Sequence, residues 1–252
     1  MKPVVLGIDT SGTSCSVSLV HEPHVYARRA TVGHAHSKYV LAMVRDVLAD
    51  AFLTLDRCDV IAYAAGPGSF TGLRVACAVT QGLAFGAALP VVSVGTLDAI
   101  AQSVILSLDD PPAEILVAMD ARMGEVYWTV LNWSGDRLTV AMPPGLATPQ
   151  TLRRRIVEHF GRPIALGGGN AWALHGDAMN GLAERVIHRE TADAVDVARL
   201  GRIAYLDGKA IAPEQASPLY VRDEVALTTA AREAKRRGIS AARVSPEVEH
   251  GA

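Results

Sequence analysis

The sequence predicts an α/β protein built from two related halves, and three observations support this class. An apolar strand over residues 4–8 ends at Asp9 and is followed by a small polar turn and a second strand. The same order recurs where an apolar strand over 114–119 ends at Asp120 and a tight turn leads into another strand. In both halves helical segments then alternate with further strands. With 50% hydrophobic and 20% charged residues, the 252-residue chain can form a sizeable core, which excludes global disorder.

The first half contains three consecutive strands, then helices that alternate with two more strands. The predicted strands are 4–8, 15–20, 25–30, 59–64 and 90–94, and the predicted helices are 37–53, 70–87 and 96–107. Ser37 is a suitable N-cap for the first helix, and a glycine-rich turn precedes the second. This order predicts a mixed sheet covered by helices.

The second half follows the acidic and proline-rich segment 109–112, which is the clearest boundary in the chain. Its predicted strands are 114–119, 125–132, 137–142 and 163–166, and its predicted helices are 149–160, 171–182 and 194–207. We therefore predict an N-terminal half over 1–108, a C-terminal half over 109–223 and a flexible basic tail over 224–252. The tail is either a solvated helix with a frayed end or an RNA-contacting patch.

Charge and cysteine content exclude several classes of protein. The formal net charge of -2 gives no whole-protein electrostatic case for binding nucleic acid or an anionic membrane. Three separated cysteines with no C-x-x-C pair indicate neither a disulfide framework nor a zinc ribbon and fit a reducing compartment. The uncharged stretch 75–97 has transmembrane length, but Pro90 and several glycines interrupt it, so a buried helix followed by a buried strand explains it better. We expect a soluble, cytoplasmic protein.

Two turns carry residue types that could bind a phosphate. Asp9, Ser11 and Gly12 lie in a turn that could present backbone N–H groups to a nucleotide, and we take them as weak nucleotide candidates. An ordinary hairpin turn is the alternative. The loop 66–72 lies between a strand and a helix but matches neither Walker A nor G-x-G-x-x-G, and we favour tight packing there. The pair at 34–36, His-Ala-His, has a poor chelating spacing, and we predict no metal site.

The helices over 37–53 and 70–87 are apolar nearly all round, although one sheet can cover only one side of a helix. Mutual packing on one sheet face is one explanation. The other is an interface with a second chain. The predicted interface residues are Tyr39, Val40, Met43, Val44, Val47, Gly72, Leu73, Ala76, Val79, Thr80 and Leu83.

Several ordered strings, which together span nearly all of residues 4–223, resemble the TsaB (YeaZ) family of bacterial tRNA threonylcarbamoyladenosine biosynthesis proteins. The strings are Ile8-Asp9-Thr10-Ser11, His36-Ser37, Gly66-Pro67-Gly68-Ser69-Phe70-Thr71-Gly72-Leu73-Arg74, Gln81-Gly82-Leu83-Ala84-Phe85-Gly86, Asp120-Ala121-Arg122-Met123-Gly124-Glu125-Val126-Tyr127 and Pro218-Leu219-Tyr220-Val221-Arg222-Asp223. The strings at 66–72 and 120–127 are specific. The Asp-Thr-Ser turn alone would not be.

The resemblance implies an actin-like, Hsp70-like ATPase (ASKHA) fold of two duplicated halves. It also implies a role in placing a threonylcarbamoyl group on N6 of adenosine-37 in tRNAs that read ANN codons. In that family the catalytic subunit is the relative TsaD. The expected role here is a non-catalytic scaffold that dimerises with TsaD, with the ATPase TsaE joining and tRNA contacted indirectly. Without TsaD we expect a homodimer, and we expect no membrane partner.

The resemblance also bears on metal and cofactor. Thr96 and Ile100 align with the two metal-binding histidines of the catalytic relative, and neither side chain is a useful transition-metal ligand. No cofactor is expected to be required, and ATP or ADP would bind weakly at the partner interface. A stand-alone kinase or ATPase using Asp9 and the Ser11-Gly12 turn is the alternative function, which predicts nucleotide turnover by the purified chain. A metallopeptidase, the third alternative, predicts bound zinc or iron.

Overall fold

The computed structural model describes residues 2–135 and 137–221, which contain two five-stranded sheets and the helices that cover them. The strands are β1 (Val5–Asp9), β2 (Ser14–His21), β3 (His24–Thr31), β4 (Val60–Gly66), β5 (Val91–Gly95), β6 (Glu114–Asp120), β7 (Val126–Ser134), β8 (Arg137–Ala147), β9 (Ile164–Gly169) and β10 (Ala183–His188). The α-helices are α1 (His36–Asp50), α2 (Phe70–Ala87), α3 (Thr96–Ile105), α4 (Pro149–Phe160), α5 (Ala171–His175) and α6 (Ala194–Leu206). The predicted tail 224–252 lies outside the described residues.

The two sheets have the same topology, which confirms the predicted duplication. The first has the order β3-β2-β1-β4-β5, and the second has the matching order β8-β7-β6-β9-β10. In each sheet the first strand of the half pairs antiparallel with the second and parallel with the fourth. Each third strand leads to a helix, and each fourth and fifth strand does the same. Both halves therefore follow one β-β-β-α-β-α-β-α order.

Helices α3 and α6 form a central layer between the sheets. One continuous apolar cluster joins side chains of both sheets to these two helices, whereas α1 with α2 and α4 with α5 cover the outer faces. Close contact of α6 with the first sheet depends on glycine, because a Cβ atom on Gly201 would lie 2.3 Å from the Ala62 Cβ atom. The hydroxyl of Ser18 on β2 donates to the Ala194 carbonyl at 2.7 Å. The predicted boundary near residue 108 stays a prediction.

Three element predictions were wrong. Strand β10 was missed, because its half-exposed Ala-Glu-Arg-Val-Ile-His sequence at the sheet edge has no strong apolar alternation. The helix predicted over 171–182 ends at His175, since Gly176 takes a φ of 50° and a 3-10 turn follows. Strand β8 continues through Pro143 and Pro144, which an edge strand tolerates.

The uncharged stretch 75–97 forms most of α2 followed by β5, as predicted. No helix in the described part of the chain is both long and apolar enough to span a membrane.

Candidate functional site

The turn after β1 and the loop before α2 are fastened together. The Ser69 backbone N–H donates to the Ser11 carbonyl at 2.7 Å, and the Thr10 hydroxyl donates to the Gly72 carbonyl at 2.7 Å. The approach is so close that a Cβ atom on Gly68 would lie 2.5 Å from the Ser11 carbonyl oxygen, and one on Gly72 would lie 1.9 Å from the Thr10 carbonyl oxygen. The tight-packing interpretation of the loop 66–72 is therefore confirmed.

Asp9 is completely buried at the end of β1. Its Oδ1 accepts a hydrogen bond from the Ser11 backbone N–H at 2.9 Å, while Oδ2 has no hydrogen-bond partner among the described residues. Burial raises the pKa of the Asp9 carboxyl group to about 6, against the opposing effect of its hydrogen bonding to Ser11. His36, the first residue of α1, is also buried, and burial lowers the pKa of its imidazole group. Burial is thus the largest influence on the pKa of both groups.

Thr191, from the loop before α6, covers this turn. A Cβ atom on Gly12 would lie 2.2 Å from the Thr191 Cγ2 atom. The Arg29 guanidinium holds that loop by donating to the Thr191 hydroxyl at 3.1 Å and to the Asp193 carboxylate at 3.2 Å. The structure thus brings the nucleotide candidates Asp9, Ser11 and Gly12 together but leaves a phosphate no open space beside Gly12 in this conformation.

The corresponding turn of the second half is built on Asp120. The Asp120 Oδ1 atom accepts a hydrogen bond from the Arg122 backbone N–H at 3.1 Å and lies 3.0 Å from His175 Nε2. Arg122 and Met123 have left-handed backbone conformations, with φ of 64° and 57°, and the Met123 side chain is 82% exposed. Sequence reasoning missed the Asp120–His175 pair, because the two residues are 55 positions apart and match no motif.

The strings at 66–74 and 218–221 meet on one surface. The Leu219 backbone N–H donates to the Ala65 carbonyl at 2.7 Å, which places the end of the described chain beside β4. Arg74 stacks on the Phe70 ring, with 3.9 Å from guanidinium carbon to ring centroid, and donates to the Tyr220 hydroxyl at 3.2 Å. Phe70 and Tyr220 are both more than 40% exposed. Residues that are distant in sequence thus form one exposed aromatic and arginine cluster.

Most of the predicted interface residues are buried within the chain and are not accessible to a partner in this structure. Eight of the eleven are buried within the chain itself, against the outer face of the first sheet and its helices: Val40, Met43, Val44, Val47, Gly72, Leu73, Ala76 and Thr80. Ala76 and Thr80 lie on the buried side of α2, the helix that packs on β4. Tyr39 is 47% exposed, and Val79 and Leu83 are partly buried, so these three remain candidates.

The opposite side of α2 is exposed and still poor in charge. We call it the outer α2 face and define it by Phe70, Arg74, Ala78, Gly82 and Phe85, all of which are exposed. Phe85 is 79% exposed, and a Cβ atom on Gly82 would meet no atom of residues 2–135 or 137–221 within 4 Å. On the neighbouring helix α1, Leu41 is 54% exposed. This face is the surface that an interface on these helices would use.

Thr96 and Ile100, which the resemblance aligns with the metal ligands of the catalytic relative, are completely buried at the start of α3. Within residues 2–135 and 137–221, no group of three or more His, Cys, Asp or Glu side chains is arranged to hold a metal ion.

The three cysteines are buried and unpaired, and burial raises the pKa of the Cys15 thiol to about 11 and that of the Cys58 thiol to about 12.

The fold and the paired aspartate turns define a class of protein, the duplicated actin-like α/β proteins of ASKHA type. Two solved structures support this class. A Pseudomonas aeruginosa protein described as similar to the peptidase YeaZ superposes with a TM-score of 0.76 at 31% identity, covering 87% of this chain and 100% of the other. YeaZ from the same organism superposes with a TM-score of 0.75 at 30% identity, covering 86% and 99%.

Sequence comparison narrows the class to one family. Residues 30–234 match the family described as TsaD: tRNA N6-adenosine threonylcarbamoyltransferase. The tRNA threonylcarbamoyladenosine biosynthesis protein TsaB of Escherichia coli is 33% identical, with 88% of this chain and 96% of that protein covered. The Haemophilus influenzae protein of the same name is 29% identical, with 88% and 94% covered. The chain belongs to the TsaB (YeaZ) family, as the resemblance in the sequence predicted.

The raised pKa of Asp9 predicts how folding stability depends on pH. The folded state holds the Asp9 proton up to about pH 6, whereas the unfolded chain loses it near the ordinary value of 3.8. Stability from this group is therefore present at low pH and lost as pH rises, and moving from about pH 7.5 to about pH 5 should add about 1.4 kcal/mol to the free energy of unfolding.

Urea unfolding of the Asp9→Asn variant at both pH values checks this prediction, because the amide keeps the acceptor for Ser11 but does not titrate. The gain between the two pH values should shrink by about 1.4 kcal/mol relative to the unmodified chain. Asp110→Asn, at an exposed position, is the control and should leave the gain unchanged. An unaltered gain in Asp9→Asn would contradict the assignment.

Proposed function

We propose that this chain is a non-catalytic partner subunit in the N6-threonylcarbamoylation of adenosine-37 in tRNAs that read ANN codons. Its membership of the TsaB family, with relatives named for threonylcarbamoyladenosine biosynthesis, supports the pathway. Its match to the TsaD family supports a partner with a related fold, since similar surfaces on related folds can pair in a two-fold arrangement. In this proposal catalysis resides in TsaD, the ATPase TsaE joins the assembly, and tRNA is contacted through the other subunits.

The observation that carries the proposal is the outer α2 face. A surface helix normally has charged residues on its solvent-exposed side. The exposed positions near the middle of α2 are instead Ala78 and Gly82, with Phe85 beside them. Exposed apolar patches of this kind mark interaction sites. Small residues also let the backbone of another helix approach closely, and none of the described residues occupies the space above Gly82. The face therefore suits a helix of a second protein.

A scaffold role fits the residues at the position of the relative's metal site. Thr96 supplies only a neutral hydroxyl, Ile100 supplies no ligand, and both are buried. We infer that any weakly bound nucleotide lies at the interface with the partner. The turn after β1 offers no site for it, because Thr191 fills the space beside Gly12.

Reconstitution tests the proposal. Purified tRNA, threonylcarbamoyl-adenylate, TsaD and TsaE should give modified adenosine only when this chain is added, and the chain alone should give none. Light scattering should show a heterodimer with TsaD and a homodimer without it. Modification that proceeds equally well without the chain would overturn the proposal, and nucleotide turnover by the chain alone would support the kinase or ATPase alternative.

A further inference from the structure

A cavity of about 310 Å³ lies at the carboxyl ends of the parallel strands β4 and β5. Its walls are apolar and stiff, because Pro67, Pro144 and Pro218 line it together with Leu97. Asp98, in the first turn of α3, is the one ionisable residue among the described residues that line it. The volume is at the lower end for ligand pockets, so it suits a small molecule or a single side chain.

Asp98 has no cation beside it among the residues that the structure describes. Within the described ranges 2–135 and 137–221, no lysine, arginine or histidine nitrogen lies within ion-pair distance of its carboxylate. A second cavity of about 240 Å³ is also lined by Asp98, together with Arg137, Asp207 and Lys209. Both cations pair with Asp207 instead: the Arg137 guanidinium lies 2.7 Å and the Lys209 Nζ atom 3.8 Å from the Asp207 Oδ2 atom. The Asp98 carboxylate therefore lies largely out of water and among apolar groups, as one half of an ion pair whose cation is missing from the described residues.

The position equivalent to Asp98 in the second half has a cation paired with its carboxylate. Asp98 and Asp196 are both the third residue of the helix that follows the fifth strand of their half, α3 and α6. In the second half the chain supplies a guanidinium to the carboxylate, because Arg199 lies 3.8 Å from Asp196. The equivalent of Arg199 on α3 is Ala101, which is buried and uncharged. The first half thus keeps the carboxylate and lacks the cation.

We propose that the Asp98 cavity binds a guanidinium or alkylammonium group on a short aliphatic stem. The carboxylate would pair with the cation, as Asp196 does with Arg199, and the proline and leucine walls would cover the stem. The ligand enters from the first cavity, since the cations Arg137 and Lys209 line the second. The group could belong to a free small molecule or to an arginine or lysine side chain of a partner protein.

The test uses the full chain and propylguanidinium as the probe, followed by amide chemical shifts. Saturable shifts are expected at Ser93, Gly95 and Leu97, with a dissociation constant on the order of millimolar. Propylurea, which has a similar shape and no charge, should bind at least about tenfold more weakly. Because burial raises the pKa of the Asp98 carboxyl group to about 6, affinity for propylguanidinium should fall about tenfold between about pH 7.5 and about pH 5.

The variants supply an independent arm. Asp98→Asn should weaken propylguanidinium binding at least about tenfold, whereas Asp196→Asn, at the duplicated position, should leave it unchanged. Equal binding of propylurea and propylguanidinium by the unmodified chain would overturn the proposal without any variant. So would the absence of saturable shifts up to about 100 mM probe.

A third comparison distinguishes the two sources of the cation. Nα-acetyl-arginine amide represents a side chain in a polypeptide, and propylguanidinium represents a free molecule. Tighter binding of the capped arginine assigns the cavity to a partner's side chain, and tighter binding of the free cation assigns it to a small molecule. If neither probe binds, the proposed cation site is overturned. The proposed partner interface on the outer α2 face is unaffected by that result, so the two proposals are tested independently.

Discussion

Replacing Gly72 by alanine is expected to lower the free energy of unfolding by about 3 kcal/mol or more. The added Cβ atom would lie 1.9 Å from the Thr10 carbonyl oxygen, and this neighbour is backbone that cannot turn away like a flexible side chain. Moving it would break the hydrogen bond from the Thr10 hydroxyl to the Gly72 carbonyl and shift the start of α2 from the turn after β1. The higher helix propensity of alanine recovers only about 1 kcal/mol.

A matched control lies on the same helix. Gly82→Ala adds the same methyl group where no atom of the described part of the chain lies within 4 Å, so it should raise the free energy of unfolding by about 1 kcal/mol. Urea unfolding at low protein concentration measures both variants without a contribution from self-association. If the two variants changed stability by similar amounts, the close contact between the loop 66–72 and the turn after β1 would not exist as described.

The duplication could be predicted from sequence because it rests on local signals. The runs that end at Asp9 and Asp120 are buried strands followed by a tight turn, and apolar run length and turn chemistry are visible without the fold. The strings at 66–74 and 120–127 gave the family for the same reason. Strand β10 was missed because its half-exposed residues include Glu184 and Arg185.

Which side of α2 packs on the sheet could not be predicted. Hydrophobic periodicity identifies the buried side of a helix only when its faces differ in polarity. Ala76 packs inward and Ala78 is exposed, yet both are alanines on a helix that is apolar nearly all round. The sequence therefore could not show which side of this helix is exposed and which is buried against the sheet. Contacts between the halves were equally out of reach: Thr191 covers Gly12 only because the loop before α6 lies beside the turn after β1.

The choice of face decides which substitution tests the proposed complex. Ala76→Arg, which the sequence would suggest, places a charge inside the packed layer between α2 and the first sheet and should unfold the chain. Ala78→Arg places the same side chain at the centre of the outer α2 face, where the monomer has room for it. Arginine has nearly the helix propensity of alanine, so the unfolding midpoint of the monomer should stay unchanged.

In the complex, the guanidinium introduced by Ala78→Arg would be pressed against another helix and taken out of water. A buried, unpaired charge costs several kcal/mol, so the affinity for TsaD should fall at least about 100-fold, with a matching loss of tRNA modification at limiting concentrations. Ala173→Arg is the control, because Ala173 is exposed on α5, the helix that follows β9 as α2 follows β4. It should bind and modify normally. Equal affinities for the two variants, measured by calorimetry, would place the partner somewhere other than the outer α2 face, since only one of the substitutions lies there.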